Sequence, residues 1–304
     1  MKSDIIPLSF DQQAAINRRA TIASVSVALI LCISKLYVFL QTDSIAILTS
    51  LIDSSLDLGA SLISFYAVRL AITKPDSAHR FGKGKAEPIA AVVQAGFIAG
   101  SGLLLIIESF QRLLQSHMPT QSDLGYWVMM LSIVLTLGLV TYQKQVIAKT
   151  KSVAVNADHL HYMGDLLANV GVILALFLVG FFGWHWVDAL FGLLIAVYLF
   201  FSAYKVGKES LDMLMDRELP DDERQQIKAV IKAKDDIKGF HELRTRRAGP
   251  HIFIQMHIDL DPNLALVKAH SIADGLERDI MTLFPNAEVI VHQDPYGWHD
   301  RHHR

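Results

Sequence analysis

The chain has 304 residues and a mean hydropathy of +0.33, with 28 basic residues nearly balancing 30 acidic ones. That balance gives no sign of a nucleic-acid partner, and the length allows two domains. A single cysteine, Cys32, excludes an intramolecular disulfide and any paired-cysteine redox or zinc motif.

The N-terminus, MKSDIIPLSFDQQ, lacks the basic-then-apolar pattern of a cleaved signal peptide. Six stretches then follow that can each cross a bilayer, which takes about 20 apolar residues. They run over roughly 20–40, 45–72, 89–114, 124–147, 166–182 and 186–203. The fifth is slightly short on apolar residues alone and extends back through His161 if that turn faces protein. Lys2, Arg18 and Arg19, then Arg69, Lys74, Arg80, Lys83 and Lys85, then Lys144, Lys149 and Lys151 all fall on one side. The opposite loops are QTDS after Leu40, the segment around Arg112, and FGWHW before Val187, with almost no Lys or Arg. Basic residues concentrate on the cytoplasmic side, so both termini are expected there.

Two features inside these stretches oppose their apolar character. Asp53 and Asp57 lie in the second, within IAILTSLIDSSLDLGASLISFYAV, and His161 and Asp165 open the fifth. A spacing of four residues puts both members of each pair on one helical face. Ionisable groups at membrane depth are costly and normally face a cavity or a partner. Three carboxylates and a neutral imidazole suit a tetrahedral divalent ion. The imidazole biases the choice away from Mg²⁺ and Ca²⁺ towards Zn²⁺ or Fe²⁺, while Cd²⁺ and Mn²⁺ stay open. Metal and protons would compete for the same atoms, which makes such a site an exchanger. His161, whose ordinary titration falls near physiological pH, is the expected proton carrier. A lone membrane Asp often serves only to hydrogen-bond helices together, and that reading is given to Asp43 and Asp188 near helix ends. Capping or surface roles are expected of Asn156, Asp158 and His159.

From about Leu211 the character changes, dividing the chain into a membrane domain (1–210) and a soluble domain (211–304). A helix is expected from Asp221 to Lys234 after Pro220. The strands HELRTRR and HIFIQMHIDL follow, joined by a turn at Gly249-Pro250, and then a helix from Leu264 to Phe284 and a last strand, EVIVHQD. This α-β-β-α-β order predicts a small sheet with helices on one face. The fold class is thus a six-helix membrane protein with a C-terminal α+β domain. The tail WHDRHHR, with His299, His302 and His303, reads as unstructured. His241, His257, His270, His292 and Asp294 form a second set of metal-ligand types, His292 and Asp294 sharing one strand face. Spacing alone leaves open whether these five groups converge.

Three other function classes compete with a secondary transporter. A membrane metal sensor would not need ligands halfway across the bilayer. An ATP-driven pump needs a phosphate-binding loop, and GKGKAE lacks both its spacing and its terminal hydroxyl. A hydrolytic metalloenzyme would need a nucleophile or acid–base set, and none is evident.

The motifs SIAILTSLIDSSLDLGAS, HRFGKGKAEPIAA, ADHLHYMGDLLANVGV, DRELPDDER, FHELRTRRAGPHIFIQMHIDL and VIVHQDP cover nearly the whole chain. In them the chain resembles the cation diffusion facilitator family, in its bacterial zinc and ferrous-iron efflux branch. The resemblance implies a homodimer in the bacterial inner membrane, with six membrane helices per protomer and a metallochaperone-like cytoplasmic domain. It also implies metal–proton antiport by alternating access, with Zn²⁺ both transported and structural. Carried over residue by residue, it gives Asp53, Asp57, His161 and Asp165 as transport site. His241, His257, His270, His292 and Asp294 become a binuclear cytoplasmic site with Asp294 bridging, and Lys85 and Asp216 an inter-domain ion pair. The family pattern also has a loop site of an Asp and two His. Here Asp76 and His79 match, but Lys83 stands at the second histidine position. An ammonium is no ligand and repels a cation, so a weak or absent loop site is expected.

Overall fold

A computed structural model of the chain describes residues 8–114, 123–184 and 186–297. Six long helices come first: α1 (Phe10–Thr42), α2 (Ile45–Ala71), α3 (Ala86–Leu114), α4 (Asp123–Thr150), α5 (Val153–Phe182) and α6 (Trp186–Leu214). All six are long and apolar enough to cross a membrane. All but α2 overrun the apolar stretches that announced them, because helical hydrogen bonding continues past the apolar run into polar turns that face water or, at the start of α5, protein. The largest extensions are at the start of α1 and α5 and the end of α6. The second helix follows Asp43, whose left-handed backbone (φ 50°) breaks the chain direction after α1. Lys2, His185 and the tail histidines His299, His302 and His303 lie outside the described residues, as does the side chain of Arg112.

The chain divides into two compact units, the first Ala14–Leu211, the second running from Asp212 onward and including the start of α1 up to Gln13. Helices α2 to α5 pack on one another in the first, and α5 is its most embedded element, with residues 153–155, 157–159, 161 and 162 all buried. Ser152 caps that helix: its Oγ accepts from the Val155 N–H and donates to Glu87 Oε2 at 2.8 Å. At the other end Gly183 takes the left-handed cap (φ 68°) that a side chain would disfavour. A Cβ on Gly164 would lie 2.5 Å from Leu199 Cδ2, so the glycine makes room on α5 for that α6 side chain.

The second unit contains α7 (Asp221–Lys232), β1 (Gly239–Ala248), β2 (His251–Leu260), α8 (Leu266–Leu283) and β3 (Ala287–Pro295). Asp221, Asp222 and Glu223 fill the first turn of α7 and Lys232 the last, both favourable to the helix dipole. The sheet order is β1-β2-β3, with β1 antiparallel and β3 parallel to β2. Alternation decides its two faces. Ile252, Ile254, Met256, Ile258 and Leu260 of β2 point to a core shared with Ile227 and Ile231 of α7 and with Ile272, Leu276 and Ile280 of α8. The opposite face carries the histidines.

Between His241 and Arg244 the β1–β2 register slips by one residue, and Glu242 adopts a left-handed backbone (φ 49°). This β-bulge lets His241 share the open face with His257 while Thr245, further along the same strand, is buried.

Candidate metal centres

In the membrane unit, Asp57 of α2 meets His161 and Asp165 of α5. Their ligand atoms lie within 4.8 Å of one another. His161 Nε2 is 2.9 Å from Asp57 Oδ1 and 3.9 Å from Asp165 Oδ2. The imidazole is buried, whereas the Asp57 and Asp165 side chains are 20 and 37 % exposed, so the group is open on one side. Asp165 Oδ2 is itself buried and has no hydrogen-bond partner. Native proteins seldom leave a buried carboxylate oxygen unsatisfied without a ligand, water or ion to meet it. Asp53, one turn earlier on α2, is exposed and outside this three-residue group.

Two neighbours were not legible as site members. Lys35 of α1 donates from Nζ to Ser54 Oγ at 2.6 Å and to the Ser50 carbonyl at 3.2 Å. Its charge acts on Asp57, Asp165 and Asp53. The only sequence signal was a lone lysine in the apolar run LILCISKLYVFL. Asp158 overturns its expected capping or surface role. It is 1 % exposed and accepts from Gln143 Nε2 at 2.7 Å and from Ser61 Oγ and Gln94 Nε2, both at 3.4 Å. His159 is buried too, and the capping belongs to Ser152. Gln143 also donates to Ser24 Oγ, Gln94 to Ser64 Oγ, and Ser61 bonds the Tyr162 hydroxyl at 2.7 Å. One carboxylate thus ties together α1, α2, α3, α4 and α5, three residues before His161. Asp188 sits at the start of α6, beside a cavity of about 160 Å³ that Glu108 and Asn169 also line.

In the second unit, strand register assembles the other group. His241 pairs with His257, and His257 with His292, so three imidazoles cross the sheet in one row. Ring centroids are 5.0 and 4.5 Å apart. Asp294, on the same face as His292, has Oδ2 at 2.8 Å from His257 Nδ1 and 3.5 Å from His241 Nε2, and Oδ1 at 3.2 Å from His292 Nε2. His241, His257 and Asp294 satisfy a three-ligand metal geometry, with ligand atoms within 4.8 Å. His270 is exposed on α8 and is not part of that group. Asp259 adds a carboxylate that the sequence reading left out: it faces Asp294 across the strands, and its Oδ1 lies 3.8 Å from His241 Nδ1. The signal was available, since His257 and Asp259 repeat the H-x-D spacing of His292 and Asp294.

The loop residues arrange differently. Asp76 Oδ2 lies 2.8 Å from Lys83 Nζ, while Oδ1 accepts from the backbone N–H groups of Ala78 and His79 and lies 3.1 Å from His79 Nδ1. The Lys83 ammonium foremost, and then the His79 N–H, hold the Asp76 carboxyl well below the usual carboxylate range. A depressed carboxyl contributes stability above its unfolded pKa and loses it only as pH falls through the folded value. The loop pairing therefore persists through the ordinary carboxylate range. With both oxygens engaged and an ammonium alongside, Asp76→Ala is expected to leave the metal count per protomer unchanged by elemental analysis. Loss of one ion would contradict this. Lys85 stands in the turn before α3, and Asp216, in the second unit, pairs with Arg246 Nη1 at 3.1 Å.

Comparisons with known proteins agree over both units. Residues 21–215 match the family model described as the cation efflux transmembrane domain, and residues 219–296 that of the cation efflux protein cytoplasmic domain. A cation-efflux pump, FieF, of Klebsiella pneumoniae subsp. pneumoniae is 44% identical over 277 residues, 91% of this chain and 92% of that protein. A FieF of Salmonella arizonae is 42% identical over the same shares. A solved structure titled for the putative zinc transporter CzrB is 32% identical and covers 26% of this chain and 99% of its own, with a TM-score of 0.25.

Proposed function

The chain belongs to the cation efflux family, and from that premise we propose that it exports a divalent metal, Zn²⁺ with Fe²⁺ or Cd²⁺ as alternatives, in exchange for protons. It is a multi-pass transporter rather than an enzyme. The observation that carries the proposal is the buried, unsatisfied Asp165 Oδ2 beside His161 and Asp57. Asp57 is the thirteenth of the 27 residues of α2, far from either end, where a ligand set serves passage better than sensing. Asp53, one turn away, is the fourth ligand in this reading and completes a tetrahedral set on small helix movement. The carboxylates and His161 bind either metal or protons, so metal release on one side and proton entry are linked.

The cytoplasmic His241, His257, His270, His292 and Asp294 form a second, structural metal site in the proposed homodimer of the inner membrane. The two oxygens of Asp294 face different imidazoles, as a bridge between two ions requires. The family model of this domain is named for its dimer.

Zn²⁺ uptake into proteoliposomes, with and without an imposed pH gradient, tests the exchange. Uptake should accelerate when the lumen is acid relative to the outside, and a protonophore should abolish the acceleration. Uptake indifferent to the gradient would refute proton exchange.

A further inference from the structure

Lys35 is a charge inside the membrane unit that the ligand set does not use. An ammonium inside an apolar helix is expensive unless something on the protein repays its lost hydration. Two of its partners are neutral: Ser54 Oγ at 2.6 Å and the Ser50 carbonyl at 3.2 Å, both on α2. Ser54 falls between Asp53 and Asp57, so these bonds hold the ammonium against the segment that carries both carboxylates. The carboxylates whose charge acts on it are Asp57 and Asp53 from α2 and Asp165 from α5, while Glu108 of α3 acts on Asp53. His161, between Asp57 and Asp165, is the other basic group of the cluster among the described residues.

We infer that Lys35 is a resident countercharge of the transport site, which matches the site to a divalent cation and keeps that cation exchangeable. Three carboxylates and one ammonium leave two negative charges, and a divalent ion neutralises both. Without the ammonium, three carboxylates attract the same ion in a low dielectric with nothing opposing them, and it is held too tightly to leave. A monovalent ion leaves the site charged in either case, a cost that a medium of low dielectric enforces. Lys35 therefore acts on the metal through the field, while the hydrogen bonds to Ser50 and Ser54 fix where that field originates.

This inference rests on the proposed transport reading, and the test separates the two. Initial rates of Zn²⁺ transport into proteoliposomes are measured for wild type, Lys35→Arg, Lys35→Gln, Lys35→Met and Asp57→Ala. Lys35→Arg keeps the charge and should stay within about twofold of wild type in both KM and kcat. Lys35→Gln keeps hydrogen-bonding capacity and Lys35→Met keeps only length. In both, KM and kcat should fall together by about tenfold, the mark of an ion bound tightly and released slowly. A residue with a merely structural role would lower kcat with KM unchanged or raised. That outcome overturns the inference, as does a Lys35→Gln that behaves like wild type or a Lys35→Arg as impaired as Lys35→Met. If Asp57→Ala transports normally, the site reading itself fails. If Asp57→Ala is inactive while the neutral Lys35 variants behave like wild type, the countercharge alone is refuted.

Discussion

Replacing Asp57 by Ala is expected to reduce Zn²⁺ transport by about 100-fold or more. Groups that merely support metal ligands commonly cost 10- to 100-fold when removed, and a direct ligand should cost at least as much. Asp57 is the α2 member that reaches across to α5, its Oδ1 lying 2.9 Å from His161 Nε2. Without it, His161 and Asp165 of α5 keep only Asp53, which lies outside their group until the helices move, and three ligands fall one short of a four-coordinate ion. The measurement is initial uptake into proteoliposomes together with metal content by elemental analysis. Metal held by the cytoplasmic histidines should remain, so transport falls further than total bound metal. A variant that transports at the wild-type rate would sink the site.

The second large effect concerns Asp158, which is buried and receives Gln143, Gln94 and Ser61. Asp158→Ala removes an acceptor shared by three buried donors, and one Gln143 N–H loses its partner outright, whereas Gln94 keeps Ser64 Oγ and the Ala60 carbonyl and Ser61 keeps Tyr162. A buried polar group left without a partner costs about 1–3 kcal/mol, so a loss of about 1–3 kcal/mol is expected. Thermal unfolding of the detergent-solubilised protein reads this as a lowered midpoint. Asp158→Asn, which keeps one acceptor oxygen but adds an N–H₂ among donors, should fall between. An Asp158→Ala protein melting with wild type would show that the network carries no stability.

What the sequence disclosed and what it hid divide along physical lines. Apolar runs of helical length made six membrane helices legible, because lipid leaves no alternative way to satisfy the backbone. Alternation in HIFIQMHIDL likewise marked a strand with one buried face. The helix ends were less legible: α5 begins at Val153, well before the apolar run, because VAVNADHLHY is buried against protein rather than lipid. The same burial hid Asp158, since nothing local tells a carboxylate that caps a helix from one that four other helices surround. Lys35 was hidden because its partners come from a different helix. The slip between His241 and Arg244 was hidden for another reason: HELRTRR gives no alternation from which an extra residue could be counted.

That slip has a consequence for how β1 tolerates change. On either side of it the strand runs in opposite phase, with His241 facing outward with His257 and Thr245 facing inward with Ile254. The strand is in effect two half-strands spliced out of step, and the extra residue is the splice. Exchanging a side chain there alters chemistry at one point. Removing one residue restores even alternation and forces a choice, either turning His241 towards the apolar interior or turning Thr245 and its neighbours out of it. Residue count in this stretch, more than residue identity, sets where the imidazole points.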